Sequence, residues 1–253
     1  MKIILNILTH GDETLGIEVA KEVSKWDIPK GVLSIQRANE KAHQLRKRFV
    51  DQDLNRSFPG KKRGNHEERL AYKLLHLIKA ADVVIDIHST TSKLKDAIIV
   101  TKLDQKTLQC IKAMQPKYVL IMNATKNNAL ISAAKIGIAF EYGRNGEKNT
   151  LNKITSDIAR LFHFFSITEM KRNKKKTPTT YFAVTKTVPK PKGFSLLPHI
   201  QNYQLLRKGE AFARNANHIL YADEDFYPIL FGQENYDGYF GFKGKQKIHT
   251  KSA

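Results

Sequence analysis

His10 and Glu13 lie three residues apart, directly after the apolar run Ile3 to Leu8. A strand therefore leads into a turn that presents an imidazole and a carboxylate together. His88 arrives in the same manner, at the end of Val83-Val84-Ile85-Asp86-Ile87. Open α/β sheets gather ligands at the carboxyl ends of their strands, so two strands can deliver these three side chains to one point. Two imidazoles and a carboxylate leave a fourth zinc position for water, which the ion acidifies toward hydroxide near neutral pH. Cys110 is the only cysteine, so an internal disulfide and a thiolate-rich site are both excluded, and any metal must be held by His, Asp and Glu.

With nine histidines, an H-x-x-E pair arises easily by chance, and two further segments carry weight. Arg48 to Gly60, reading RFVDQDLNRSFPG, is a polar loop rich in groups that bind carboxylates and polarise carbonyls. Phe140-Glu141-Tyr142-Gly143 sets a carboxylate at the end of another apolar strand, where general acid–base chemistry can use it. Asp86 shares a strand face with His88, which suits either a residue that orients a ligand histidine or an ordinary strand-end hydrogen bond. His43, His66 and His76 sit in helical patterns and are expected to face solvent or cap.

The elements that must position these groups alternate between strand and helix. Ile3 to Leu8, Val32 to Ile35, Val83 to Ile87, Ala97 to Val100, Tyr118 to Met122 and Ile136 to Phe140 are short, apolar and suited to central strands. Between them, Leu70, Leu74, Leu77 and Ile78 form a helical stripe within Glu67 to Ala81. Leu151, Ile154, Ile158, Leu161, Phe162 and Phe165 form another. The expected architecture is α/β, a mixed and largely parallel sheet sandwiched by helices, followed by a small C-terminal β domain. The basic run Lys171 to Lys176 reads as a solvated connection, which divides the chain into a catalytic domain over 1–170 and a β-rich domain over 177–253. The latter holds Thr180 to Val188 and aromatic segments near Ile219, Phe226 to Phe231 and Tyr239 to Phe242.

The motifs resemble, in order, those of the succinylglutamate desuccinylase and aspartoacylase family, a branch of the zinc carboxypeptidase-like superfamily. The matching segments are His10-Gly11-Asp12-Glu13 with Thr14-Leu15-Gly16, Asp53-Leu54-Asn55-Arg56 with Phe58-Pro59-Gly60, Asp86-Ile87-His88-Ser89-Thr90-Thr91, and Glu141 at its strand end. Tyr227 to Phe231 and Tyr236-Asp237-Gly238 are similar to that family's small β domain. The resemblance implies one zinc ion per chain held by His10, Glu13 and His88. Glu141 would be the base that deprotonates water and the acid that protonates the leaving nitrogen. Arg56 would polarise the scissile carbonyl and stabilise the oxyanion, Asn55 and Arg48 would hold a substrate carboxylate, and Tyr236 would add a contact from the β domain. The implied substrate is a small anionic N-acyl amino acid. Aspartoacylase-like members carry a carboxylate-gripping arginine about ten residues before the catalytic glutamate. Asn128 to Lys135 contains none, which leaves Lys135 and Arg144 as candidate substitutes.

The 253 residues carry 43 Lys and Arg against 24 Asp and Glu, a net charge of +19. Such an excess suits nucleic acid, an anionic substrate steered into a positive cleft, or a lysine-rich proteome. Arg46, Lys47, Lys61, Lys62 and Arg63 flank the polar loop as a positive funnel or a solvated basic surface. No recognition helix or stacking platform supports nucleic acid. The remaining enzymatic alternative is a zinc carboxypeptidase acting on peptide C-termini, which uses the same zinc, glutamate and arginine logic. No apolar stretch is long enough to span a bilayer and the N-terminal run is too short for a secretory signal, so a soluble cytoplasmic protein without membrane partners is expected.

Overall fold

The computed structural model describes residues 1–92, 96–122, 127–169, 178–232, 236 and 238–247; the connection read at Lys171 to Lys176 lies outside them. The architecture is the expected one: a mixed, largely parallel sheet between helices, with antiparallel strands at the C-terminal end. The strands are β1 (Ile3–Ile7), β2 (Leu33–Arg37), β3 (Val83–His88), β4 (Ala97–Val100), β5 (Tyr118–Met122), β6 (Ile136–Glu141), β7 (Thr180–Pro189), β8 (Ser195–Leu196), β9 (Ala211–Arg214), β10 (Ile219–Tyr221), β11 (Tyr227–Ile229) and β12 (Tyr239–Lys247). The helices are α1 (Leu15–Val23), α2 (Glu40–Gln44), α3 (His66–Ala80), α4 (Gln105–Met114) and α5 (Lys148–Phe164). Nine strands form one sheet in the order β11-β12-β7-β5-β4-β6-β3-β1-β2, while β10, β9 and β8 form a second, three-stranded sheet. The C-terminal strand β7 pairs parallel with β5 and carries β12 and β11 antiparallel at its far side, so the large sheet runs on into the C-terminal segment.

Period-two alternation divides the central strands between two cores. Ile3, Leu5, Ile7, Val83, Ile85, Ile138 and Phe140 face α1, α4 and α5. Ile4, Val84 and Ala139 face α3 and the 3₁₀ turn at Leu130–Ala133. Every residue of β1, β3 and β6 is buried, as expected for strands covered on both faces. β2, expected as a central strand, is instead the edge of the sheet, with Ile35 38% exposed. The α3 stripe also differs from expectation, because Leu77 is 52% exposed. The inward face runs through Glu67, Ala71, Leu74 and Ile78. Its rotation has a polar cause, since Glu67 must point inward to accept hydrogen bonds from the loop that precedes the helix.

That loop is the RFVDQDLNR segment. The buried Glu67 carboxylate accepts from the backbone N–H groups of Val50 (2.7 Å), Asp51 (2.9 Å) and Gln52 (3.2 Å) and from the Asn39 side chain (2.9 Å). Burial by itself would raise its carboxyl, but these donors outweigh burial and hold it below the ordinary carboxylate range. A depressed folded pKa stabilises fully above the unfolded value, and the benefit fades as pH falls through the folded one. Glu67→Gln should therefore cost about 2 kcal/mol at pH 7, the scale of hydrogen bonds to a charged acceptor. The gap from wild type, read by urea unfolding, should narrow in acid; equal midpoints at pH 7 would contradict this role.

Candidate metal and catalytic site

Alternation and register converge on one face of the sheet. Asp86 and His88 stand on the α3 face of β3, and Ala139 and Glu141 stand beside them on β6, with His88 paired to Glu141 and Asp86 to Ala139. On the other side of β3, β1 is followed by buried Leu8, whose φ of 58° is a left-handed conformation unusual for a branched residue. The chain turns there, and His10 and Glu13 enter the site. Gly11 makes that turn fit, because a Cβ at this position would lie 2.3 Å from backbone atoms of Ala42 and His43. Its N–H donates to Arg48 O at 2.9 Å, which couples the turn to the polar loop.

His10, Glu13 and His88 are all buried and offer ligand atoms lying within 4.8 Å of one another. The Glu13 carboxylate sits between the two imidazoles, at 2.7 Å from His10 Nδ1 and 2.9 Å from His88 Nδ1. The opposite ring nitrogens face further carboxylates, His10 Nε2 lying 3.1 Å from Asp53 and His88 Nε2 lying 2.8 Å from Asp86. A carboxylate behind each histidine sets its tautomer and ring orientation and strengthens it as a ligand. Asp86 is held in turn by Asn6 and Thr9, both at 2.8 Å. Asp86 thus contacts the histidine with which it shares a strand face, an arrangement open to both readings made from the sequence. The matching role of Asp53, and the support from Asn6 and Thr9, were missed, although a polar Asn6 inside an apolar strand was a signal for it.

The electrostatics follow from burial and contact. Burial works to lower the histidines, yet Glu13 with Asp53 raises His10, and Asp86 with Glu13 raises His88 well above the ordinary value. Glu13 is opposed by burial but is drawn well below its usual range by the two histidines. Glu141 behaves oppositely: burial pushes its carboxyl up to about 8, Glu13 adds to the rise, and His88, Arg48 and His10 counter it. Its Oε2 atom has no hydrogen-bond partner among the described residues. The charged trio of His10, Glu13 and His88 thus stands beside a carboxyl that burial holds largely protonated at neutral pH.

The eight residues to which the resemblance assigns metal, catalytic or substrate roles line one cavity of about 80 Å³: His10, Glu13, Arg48, Asn55, Arg56, His88, Glu141 and Tyr236. Arg48 is engaged with Glu13 at 2.8 Å and lies 3.5 Å from Asp53. Asn55 accepts from Leu130 N–H at 3.0 Å while its amide nitrogen lies 3.3 Å from His88 Nε2. Arg56 donates to the carbonyl of Asn55 and forms no salt bridge among the described residues. Tyr236 stacks on Tyr239 with ring centroids 4.4 Å apart. The candidate substitutes lie elsewhere, Lys135 against Asp82 at 3.1 Å and Arg144 donating to Thr91 O at 2.8 Å. His43 bonds Gly11 O, His66 begins α3 and His76 packs edge-on against Tyr72, so all three stay outside the ligand trio.

The fold and this strand-end cluster define a recognisable class. The family model for the succinylglutamate desuccinylase/aspartoacylase catalytic domain matches residues 2–167, and the chain belongs to that family. It is 30% identical over 161 residues to the N-alpha-acetyl-L-2,4-diaminobutyric acid deacetylase of Halomonas elongata, a match over 54% of this chain and 46% of that protein. The chain thus spans about half the length of that curated relative. Murine aminoacylase 3 superposes with a TM-score of 0.81 at 18% identity, over 98% of this chain and 95% of that structure. Succinylglutamate desuccinylase from Vibrio cholerae superposes with a TM-score of 0.72 at 19% identity, over 97% and 81%. At such identities these structures establish the shared fold. Among the described residues, no helix is long and apolar enough to cross a membrane.

If Asp86 orients His88 as a metal ligand, Asp86→Asn should weaken zinc binding by roughly 10- to 100-fold. Competition against a chelator would measure it, and an unchanged affinity would show that Asp86 serves only the strand end.

Proposed function

We propose that the chain is a zinc-dependent hydrolase that removes the acyl group from a small N-acyl amino acid. The observation that carries the reading is the pairing of His88 with Glu141 across β3 and β6. It sets a buried carboxyl, with one oxygen unpartnered among the described residues, beside the trio His10, Glu13 and His88. Membership of a family whose relatives are named as deacetylases and desuccinylases supports the same reading.

The donor set fits zinc: two imidazoles and a carboxylate, no thiolate, and a second carboxylate behind each histidine. One zinc ion per chain, held by His10, Glu13 and His88, would polarise the scissile carbonyl and acidify a water molecule. Glu141 takes the proton from the attacking water and passes it to the leaving nitrogen, one carboxylate used twice. Arg56 offers a guanidinium to the carbonyl oxygen as negative charge develops there, a contribution of about 3 kcal/mol for such a donor in a dry site. Arg48, buried against Glu13 and Asp53, keeps the carboxylate-rich wall neutralised and, with Asn55, borders the space for the substrate carboxylate. Leu230, Tyr236 and Phe242 close the cavity from the C-terminal segment. That narrowing favours a small acyl amino acid over a peptide C-terminus.

Zinc should be recovered near one ion per chain, and Glu141→Gln should keep the zinc while lowering kcat by about 10²- to 10⁴-fold. Glu141 accepts its proton only when ionised. Wild-type kcat/KM should therefore fall as pH drops through its pKa, below the metal-free value of about 8 because a bound cation favours the carboxylate. That acidic limb should be missing from the variant. A zinc-loaded wild type inactive on every N-acyl amino acid, or a Glu141→Gln protein with wild-type rates, would overturn the reading.

A further inference from the structure

Beyond Glu141 the cavity changes character. Ala139 lies two residues before Glu141 on the same face of β6, and Ile99 of β4 is its register partner. Met122 from the end of β5, Ile131 from the 3₁₀ turn, and Leu230 and Phe242 from the C-terminal strands complete an apolar lobe. Ile131 comes this close because β6 carries Gly137, where a Cβ would stand 2.2 Å from Ile131 O. Among the described residues, the only arginines or lysines lining the cavity are Arg48 and Arg56. Arg48, engaged with Glu13 and Asp53, borders the space for the α-carboxylate together with Asn55, and Arg56 is assigned to the carbonyl oxygen, so neither is left over for a second carboxylate.

We propose that this lobe receives the amino-acid side chain, so that the substrates are N-acyl derivatives of apolar, monocarboxylic amino acids. The inference rests on the deacylase reading and names its substrate class. The orientation follows from Glu141, which returns its proton to the leaving nitrogen. The amino-acid half must lie on the Glu141 side, and the carbon next to that nitrogen carries the side chain straight toward Ala139 and Ile99. The acyl half falls on the side of the His10, Glu13 and His88 cluster. With Arg56 at the carbonyl oxygen, the Arg48 and Asn55 side of the cavity takes one α-carboxylate. A second carboxylate, as in an aspartate or glutamate derivative, would be stripped of water against Ile99, Ile131 and Phe242 with no cation among the described residues to meet it.

The test compares kcat/KM of the zinc-loaded, full-length protein for N-acetyl derivatives of glycine, leucine, methionine, aspartate and glutamate. N-acetylglycine reports the deacylase chemistry alone. Leucine and methionine derivatives should exceed it by about tenfold or more, and should exceed the aspartate and glutamate derivatives on the order of 100-fold. Ile99→Arg should reverse the last ratio by at least about tenfold. If that variant does not fold, Phe242→Ala should raise KM for the leucine derivative by a larger factor than for N-acetylglycine. Equal or faster turnover of the dicarboxylic derivatives would overturn the inference and leave the deacylase standing. So would a preference that follows acyl length and ignores the side chain. Failure to hydrolyse any of the five, glycine included, would overturn the deacylase reading itself.

Discussion

The carboxylate of Glu13, placed between His10 Nδ1 and His88 Nδ1, is the contact on which the site depends. It joins the turn after β1 to the end of β3, two strands that pair in parallel but end in different loops. Three buried ionisable groups in so small a space would be strongly unfavourable if any one lacked its partner. Here the histidines rise and Glu13 falls, so mutual attraction outweighs desolvation on both sides. Asp53 and Asp86 stand directly behind the histidines, so every member of the buried trio has an oppositely charged partner.

Around this centre the protein invests much of its buried polarity in holding a loop. Residues 48–56 supply Arg48, Asp53, Asn55 and Arg56 but have no strand or long helix of their own to fix them. Glu67 takes three successive backbone N–H groups from that loop, and Asp53 accepts from Asn55 N–H to start a short 3₁₀ turn. Asn55 then bonds Leu130 N–H, which connects the loop to the segment beside the apolar lobe. Side chains that line the cavity are in this way referenced to the rigid sheet through a few specific hydrogen bonds, the condition for positioning a reacting group closely.

The C-terminal strands matter because the large sheet does not stop at β5. With β7 parallel to β5, and β12 and β11 added antiparallel, aromatic residues from near the end of the chain come to lie over the ends of β4 and β5. Phe242 and Leu230 belong to the same apolar cluster as Met122 and Phe182, with Tyr236 packed against it, and that cluster forms one wall of the cavity. The same packing that secures the C-terminal strands therefore shapes the cavity space beyond Glu141.

How much of this was legible beforehand depended on the range of the interaction. His10, Glu13, His88 and Glu141 stood out because each follows a short apolar run, and a parallel α/β sheet brings such strand ends to one edge whatever the loops do. β4, β5 and α5 were likewise readable from local periodicity. Long-range pairing was not. Local pattern could not tell that β2 is an edge, since Leu33 and Ile35 look like core residues until the strand order is known. Nor could it tell that α3 turns Leu77 outward to bring Glu67 inward, because Glu67 acquires its partners from residues 39 and 50–52 only after folding. The sequence by itself determined the metal-capable side-chain types, the strand ends that carry them and the class of sheet. Which carboxylate stands behind which histidine, the pairing of Arg48 with Glu13, and the apolar lobe were decided by tertiary structure, because each depends on residues far apart in the chain meeting where water is excluded.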